Sequence, residues 1–388
     1  MDISYIINEL GEGREHYFNS IAPPLIQTSN FAFRTVDEMR NAFADEYSAY
    51  IYSRGKNPTV EILRKKLAAL DGAEDCLVFN SGAAAIFASV LANVKSGDHI
   101  ISVRDPYSWA AKMFTEILPR FNVSTTFIDG RDIKNFETAK KENTVLVYIE
   151  TPNSWTYDLQ DIAAVAAFAK HNGLVSICDN SYCTPLYQQP CMIGIDLALQ
   201  SATKYIGGHS DVVAGVLSGS SKMITGIFKS EYNNIGSGIQ PFNAWLLLRG
   251  LRTLPARLER MSITSQKVCT FLKQHSKVEA VFFPFDPSFP QYDLAQKQMS
   301  GACGLMTFVI KTKSVTEIEK FCESLRHILM AVSWGGHESL VIPRCSGMKK
   351  EEFDVANEAH RMLRIYAGME DADYIIADLA QAFDALSI

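Results

Sequence analysis

Short, continuous apolar runs alternate with helical periodicity between residues 76 and 180. The runs that predict buried strands are CLVF (76–79), DHIISV (98–103), VSTTFID (123–129), TVLVYIE (144–150) and LVSICDN (174–180). After the first run, small residues from Ser81 onward predict a helix. The segment DIAAVAAFAKHNG (161–173) predicts another helix, between the strands at 144–150 and 174–180. Continuous apolar strands separated by helices are typical of a parallel sheet covered on both faces. Such a sheet binds ligands beyond the carboxyl ends of its strands.

The segment NPTVEILRKKLAALDG predicts a helix just before the first strand. Asn57 suits the N-cap, Pro58 suits the first turn, and Gly72 suits the exit. Residues 1–50 show no long periodic segment and include the double proline of APPLIQTSN (22–30). We therefore expect these fifty residues to form an irregular N-terminal arm.

The pattern changes after about residue 245. The segment LLLRGLRTLPARLERM predicts a helix, GLMTFVIKT (304–312) and LRIYAG (363–368) predict strands, and DADYIIADLAQAFDAL predicts a final amphipathic helix. These elements indicate a smaller α+β domain. The predicted division is an arm over 1–50, an α/β domain over 51–245 and a C-terminal α+β domain over 246–388.

The composition narrows the classes of protein that fit this pattern. The chain has 388 residues, is 47% hydrophobic and carries a formal net charge of −6, which argues against nucleic-acid binding by a broad basic face. No apolar run reaches the 18 residues of a membrane span. The N-terminus lacks the features of a secretory signal, and none of the eight cysteines forms a CxxC pair. We expect a cytoplasmic protein with reduced cysteines.

Several common site motifs are missing. The chain contains no GxGxxG, no GxxxxGK[ST] and no GxSxG motif. His209 and Asp211 could suggest a metal, but no third ligand stands nearby, and we expect no metal site.

Four features near strand ends carry the candidate chemistry. They are Lys204 in SATKYIGGHSD (201–211), Asp179 at the end of an apolar strand, the strand-to-helix turn NSGAA (80–84), and Arg364 in a C-terminal strand. Together they match the needs of pyridoxal 5'-phosphate, namely an amine, a carboxylate for the pyridine nitrogen, a phosphate cradle and an arginine for a substrate carboxylate.

With these residues the chain resembles the Cys/Met-metabolism, or trans-sulfuration, family of pyridoxal-phosphate enzymes. The resemblance covers most of the chain. Its motifs are, in the family's order, YSRGKNPT (52–59), the Ser81–Ala84 turn, DNSYCTP (179–185), SATKYIGGHSD, LRGLRTL (248–254), SWGGHESL (333–340) and LRIYAGMED (363–371). It implies the fold-type I transferase fold and pyridoxal 5'-phosphate as cofactor.

The resemblance also implies roles for individual residues. Lys204 would carry the Schiff base and move protons, Asp179 would pair with the pyridine nitrogen, and Tyr107 would stack on the cofactor ring. The remaining cofactor contacts that it implies are Gly82, Ala83, Ser201 and Thr203 around the phosphate.

Two further pairs follow from the same resemblance. Tyr52 and Arg54 would reach the phosphate of a neighbouring subunit, which implies a homo-oligomer, with a dimer of dimers expected. Arg364 and Ser333 would hold the carboxylate of a small sulfur-containing amino acid.

Three departures from family patterns bear on the activity. Ser154 stands where many members have the asparagine that touches the phenolic oxygen of the cofactor, and Trp109 stands where methionine γ-lyases have a cysteine. Val332 replaces the glutamate of cystathionine γ-lyases and γ-synthases, and Trp334 follows as in bacterial β-lyases, so Trp334 is a candidate substrate residue.

The resemblance therefore implies a carbon–sulfur lyase most like cystathionine β-lyase. The alternatives are methionine or cystathionine γ-lyase, a homoserine-ester synthase that installs a thiol, and a weakly active regulatory protein.

Overall fold

A computed structural model describes residues 1–387 and divides them into two compact units. The first unit comprises Met1–Thr151, Gln160–Gly207 and Asp211–Arg252. The second comprises Pro152–Leu159, Gly208–Ser210 and the chain from Thr253 onward. The predicted division into an arm and two functional domains stays a prediction.

A seven-stranded sheet forms the centre of the first unit. Its strands are β1 (Asp75–Phe79), β2 (His99–Val103), β3 (Ser124–Ile128), β4 (Thr144–Glu150), β5 (Val175–Asp179), β6 (Leu197–Gln200) and β7 (Gly215–Gly219). Their spatial order is β1-β7-β6-β5-β4-β2-β3, and only β7 runs antiparallel to its neighbours. The five predicted strands are confirmed, and the sheet is mainly parallel, as predicted.

Both faces of this sheet are buried. Leu146 and Tyr148 of β4 belong to one apolar cluster, while the alternating residues Val147 and Ile149 belong to another on the opposite face. This explains the continuous apolar runs, since a strand covered on both sides has no position that favours a polar residue.

α-Helices alternate with these strands along the chain, and the helix over residues 58–71 begins after Asn57, the N-cap that the sequence predicts. The α-helices are α1 (Ile3–Asn8), α2 (Val36–Ala44), α3 (Pro58–Asp71), α4 (Gly82–Leu91), α5 (Ser108–Lys112), α6 (Ile133–Ala139), α7 (Ile162–His171), α8 (Thr184–Tyr187), α9 (Pro190–Ile193), α10 (Ser221–Ile227), α11 (Asn233–Ile235) and α12 (Pro241–Gln274). Asn57 caps α3 by accepting a hydrogen bond from the Thr59 amide at 3.0 Å, and Gly72 ends it at a φ of 64°. Among residues 1–387 no helix has the length and apolarity needed to span a bilayer.

The second unit contains a five-stranded sheet. Its strands are β8 (Val278–Phe282), β9 (Leu305–Ile310), β10 (Leu329–Met330), β11 (Leu340–Pro343) and β12 (Met362–Tyr366), in the order β10-β11-β12-β9-β8. Its α-helices after α12 are α13 (Tyr292–Gln298), α14 (Val315–Ser324) and α15 (Ala372–Asp384). Phe308 and Ile365 pack into the apolar core with α14 and α15. Alternation along the strands places Thr307 and Arg364 on the other face of the sheet.

The N-terminal fifty residues differ from the expectation of an irregular arm. They contain α1 and α2, each with a side-chain cap, from Asp2 and Thr35 respectively. The two helices are only six and nine residues long, so neither produces a long periodic pattern in the sequence.

Candidate active site

Two carboxylates lie side by side at the carboxyl end of the first sheet. Glu150 is the last residue of β4 and Asp179 the last of β5, and the two are paired in register. Asp179 is 6% exposed, and its Oδ1 accepts a hydrogen bond from the Ser181 amide at 2.9 Å. Because a buried carboxylate needs cationic or donor partners, this edge of the sheet favours a positively charged group.

Lys204 lies within electrostatic reach of Asp179. Burial raises the pKa of Asp179, while hydrogen bonds from Ser181 and the positive charge of Lys204 act in the opposite direction. The turn after β6 positions the lysine, since the Lys204 amide donates to the Ser201 carbonyl at 3.1 Å. The structure thus brings together the two residues that the sequence assigns to the amine and the carboxylate.

Tyr107 is held at the same place through its backbone. Its amide donates to Oε2 of Glu150 at 2.6 Å, so Glu150 fixes the start of α5 against the end of β4. Burial, followed by the negative charges of Asp179 and Glu150, raises the pKa of the Tyr107 hydroxyl. Sequence reasoning missed this role of Glu150, although the residue stands at the end of a predicted strand.

The N-terminus of α4 lies beside the turn after β6. Ser81 caps the helix by accepting from the Ala84 amide at 3.1 Å, and the first-turn amides of Gly82 and Ala83 have no acceptor within the helix. A Cβ at Gly82 would lie 3.0 Å from Cβ of Ser201. The glycine therefore allows this close approach of the two turns, and their role in binding a phosphate stays a prediction.

Ser201 and Thr203 form hydrogen bonds with different parts of the first unit. The Ser201 amide donates to the Ser181 hydroxyl at 2.7 Å, which links the turns after β5 and β6. The Thr203 hydroxyl donates to the Ala214 carbonyl at 3.1 Å and accepts from the Ala214 amide at 3.0 Å. Thr203 would have to give up the first of these bonds in order to donate to a phosphate oxygen. Ser181 is a second residue that sequence reasoning missed, although DNSYCTP contains it.

Tyr52 and Arg54 lie next to each other at the surface. The Arg54 guanidinium carbon is 5.5 Å from the centroid of the Tyr52 ring, and both residues are exposed. Their exposure is compatible with a role toward another subunit, and that role stays a prediction.

The predicted substrate residues belong to the second unit. Arg364 lies in β12, and the half-buried Ser333 and Trp334 lie in the segment that precedes β11. Ser333 has a φ of 83°, and the turn after it is fixed because the Tyr366 hydroxyl of β12 donates to the Gly336 carbonyl at 2.6 Å. Ser154 is also in this unit and half-buried, and its carbonyl accepts from the Thr156 amide at 2.9 Å.

The residues of the first unit fit pyridoxal 5'-phosphate. A protonated pyridine nitrogen would supply a cation for the buried carboxylate of Asp179, and the first-turn amides of α4, which Gly82 lets approach Ser201 closely, suit a phosphate group. A mainly parallel sheet with these groups beyond its carboxyl ends defines a fold-type I pyridoxal-phosphate enzyme.

The chain belongs to the family described as Cys/Met metabolism PLP-dependent enzyme, whose sequence profile matches residues 6–384. It is 39% identical over 376 residues to L-methionine gamma-lyase of Treponema denticola, covering 95% of this chain and 94% of that protein. It is 34% identical to cystathionine gamma-lyase of Dictyostelium discoideum, covering 87% and 88%. The crystal structure of metB from Corynebacterium glutamicum superposes with a TM-score of 0.91 at 30% identity, covering 99% of this chain and 98% of the other. The family and its cofactor, both predicted from the sequence, are confirmed, whereas the role of each site residue stays a prediction.

Proposed function

We propose that this carbon–sulfur lyase cleaves cystathionine by β-elimination, and that one water molecule is consumed to give homocysteine, pyruvate and ammonia. The observation that carries the catalytic part of the proposal is the buried Asp179 at the end of β5, within electrostatic reach of Lys204. Perturbed ionisable groups that converge in this way at a sheet edge are typical of catalytic sites.

Pyridoxal 5'-phosphate, when bound, supplies the electron sink that makes a substrate Cα–H bond acidic. Asp179 would hold a proton on the pyridine nitrogen, and Nζ of Lys204 would take the proton from Cα. Proton transfers of this kind contribute about 10²- to 10⁴-fold each. Tyr107, fixed through Glu150, would lie against the ring, and the amides of Gly82 and Ala83 with the Ser201 side chain would bind the phosphate.

Arg364 and Ser333 would bind the α-carboxylate of the substrate. A guanidinium can bind a carboxylate through two parallel hydrogen bonds, which strengthen binding and fix the orientation of the substrate. We further propose that Ser154 contacts the cofactor near its phenolic oxygen, and that Tyr52 and Arg54 complete the phosphate site of a neighbouring subunit in a homo-oligomer.

The preference for β- over γ-elimination rests on the segment around Ser333. γ-Elimination needs a second deprotonation, at Cβ, whereas β-elimination needs only the Cα proton. Val332 is apolar and 73% exposed, so it offers no carboxylate to a distal amino group, and the bulky Trp334 would restrain the substrate chain. A misplacement of about 1 Å can cost 10²-fold, so one large side chain can decide between the two reactions.

L-Methionine γ-lyase is the second candidate function, and the 39% identity to the treponemal enzyme favours it. The keto acid distinguishes the two candidates. We expect the holoenzyme to form mainly pyruvate from L-cystathionine and little 2-oxobutanoate from L-methionine, as measured by chromatography of the keto-acid hydrazones. An excess of 2-oxobutanoate, or rapid methanethiol release, would assign the protein to the γ-lyases.

A further inference from the structure

Trp155 is in contact with two cationic side chains of the second unit. The guanidinium carbons of Arg344 and Arg364 are each 5.2 Å from the centroid of its indole ring. Both distances are within the range of cation–π attraction, which is strongest for tryptophan. The two guanidinium carbons can therefore lie no more than about 10 Å apart.

The backbone holds this tryptophan in an unfavourable conformation. Trp155 has a φ of 69° and is the central residue of a three-residue turn closed by the hydrogen bond from the Thr156 amide to the Ser154 carbonyl. A turn of this kind with a positive φ is rare and strained, and a bulky residue seldom occupies it. Strained residues of this type are concentrated at ligand-binding sites.

The surrounding segment fixes the position of Trp155. The Asn153 amide donates to the Asp158 carbonyl at 3.0 Å and closes the loop at its base. The Thr307 hydroxyl lies 3.3 Å from the Tyr157 hydroxyl, and Thr307 is the cross-strand neighbour of Arg364. The loop is thus anchored to the same face of the sheet that carries Arg364.

Arg344 reaches that face from the neighbouring strand. It directly follows β11, two residues after Ile342, which pairs in register with Arg364. Its Nη1 lies 3.8 Å from Sδ of Met362, which precedes Arg364 by two residues and shares its face. Across residues 1–387, Arg344 forms no ion pair with a carboxylate. A half-buried guanidinium without an anionic partner can bind a negatively charged ligand group.

We propose that Arg344 binds a second carboxylate of the substrate, at the end distal to the α-carboxylate, and that Trp155 positions Arg344 and Arg364 for the two groups. This inference rests on the proposed role of Arg364 in binding the α-carboxylate. Cystathionine carries a second carboxylate, and its two carboxyl carbons are separated by seven bonds, or about 9 Å when extended. Methionine has no second anionic group, so Arg344 selects for the dicarboxylic substrate.

The test compares kcat and KM of the holoenzyme for L-cystathionine and for S-methyl-L-cysteine, which has one carboxylate. In Arg344→Gln we expect the ratio of kcat/KM for cystathionine to that for S-methylcysteine to fall about 10- to 100-fold, mainly through the KM of cystathionine. Arg344→Lys keeps the positive charge but loses the planar guanidinium that can donate two parallel hydrogen bonds. The ratio of the two kcat/KM values in this variant should lie between the ratios of the wild type and Arg344→Gln.

Arg326→Gln is the matched control, since it removes the same charge from an exposed position of the second unit and should change the ratio by less than about twofold. The proposal is overturned if the ratio for Arg344→Gln changes no more than the ratio for Arg326→Gln. It is also overturned if Arg344→Gln lowers kcat/KM equally for both substrates. The test counts consumption of cystathionine, so it holds whether the keto acid is pyruvate or 2-oxobutanoate. A wrong β-lyase assignment would appear in the keto acid, whereas a wrong assignment of Arg344 would appear in the ratio.

Substitutions of Trp155 test separately whether this residue positions Arg344 and Arg364. Trp155→Phe retains an aromatic face and should keep the preference for cystathionine, whereas Trp155→Leu should weaken the binding of both substrates because both arginines lose the ring. A Trp155→Leu variant with unchanged KM for both substrates would contradict the positioning role.

Discussion

Asp71 is a fully buried carboxyl group at the end of α3. It accepts hydrogen bonds from Nε2 of Gln200 at 2.6 Å and from Oγ of Ser218 at 2.5 Å, while burial raises its pKa to about 7. The unfolded chain loses this proton near pH 4, so unfolding releases a proton between about pH 4 and pH 7. Asp71 therefore lowers the free energy of unfolding as the pH rises through this range, by up to about 1.4 kcal/mol per pH unit.

We predict that Asp71→Asn removes this dependence. The melting temperature of the variant relative to the wild type should rise from pH 5 to pH 7.5, as measured by calorimetry of the holoenzyme. Asp293 is exposed, so Asp293→Asn is the control. The difference between its melting temperature and that of the wild type should stay constant from pH 5 to pH 7.5. A difference for Asp71→Asn that also stays constant with pH would mean that Asp71 is already ionised in the folded protein.

Individual residues show how far the sequence determines the site. The position of Asp179 and Lys204 at one sheet edge could be predicted, because Asp179 ends one apolar strand, Lys204 follows another, and parallel strands bring their carboxyl ends to one edge. Glu150 could not be assigned its role, since its hydrogen bond joins residues 43 positions apart and depends on how α5 packs. The environment of Trp155 could not be predicted either, because it results from a strained turn and from two strands remote in sequence.

At the scale of elements, an ion cluster ties the N-terminal segment to α3 and α12. Glu12 is buried and lies 3.2 Å from Nζ of Lys66, 3.0 Å from Arg252 and 2.9 Å from Arg14. Nζ of Lys66 also donates to the carbonyls of Ile6 and Ile7 in α1. Removing the carboxylate would leave the buried Lys66 charge without its counterion.

We predict that Glu12→Gln lowers the free energy of unfolding by about 3–5 kcal/mol, since breaking a buried ion pair leaves an uncompensated charge. Thermal unfolding measures the loss, and faster amide exchange in α1 should accompany it. Glu15→Gln, which alters an exposed pair with His16, should change the free energy by less than about 0.5 kcal/mol. Equal stabilities of the Glu12 and Glu15 variants would contradict a structural role of the cluster.

Two of the strands that the sequence patterns missed have weak signals of their own. β7 contains two glycines in five residues, and glycine is depleted in strands, so its residues alone do not predict the strand that pairs with β1 and β6. β10 has two residues, both exposed. Helices with clear caps, such as α3 and α15, could be predicted because local residues determine where they start.

At the scale of the whole molecule, the family resemblance predicts that Tyr52 and Arg54, which are exposed in this chain, complete the active site of a second subunit. If Arg54 serves the neighbouring site, a hybrid of Arg54→Ala and Lys204→Ala subunits contains one intact site and one doubly defective site. Random mixing should then restore about a quarter of the wild-type sites.

The measurement is the activity recovered after subunits of the two inactive variants have been exchanged. Asp179→Ala mixed with Lys204→Ala is the matched control and should recover nothing, because both residues serve the same subunit's site. Demonstrated exchange without recovery in the Arg54 mixture would show that Arg54 acts within its own chain.

The chemistry of the whole enzyme depends on which lysine binds the cofactor. Lys204 is the lysine whose charge acts on Asp179 at the sheet edge, so borohydride reduction of the holoenzyme should attach the cofactor there permanently. Peptide mass spectrometry of the reduced protein should find the adduct on the peptide that contains Lys204. The Lys204→Ala variant should yield no adduct on the corresponding peptide. An adduct on a different lysine of the wild type, or none at all, would contradict the assignment of the active site.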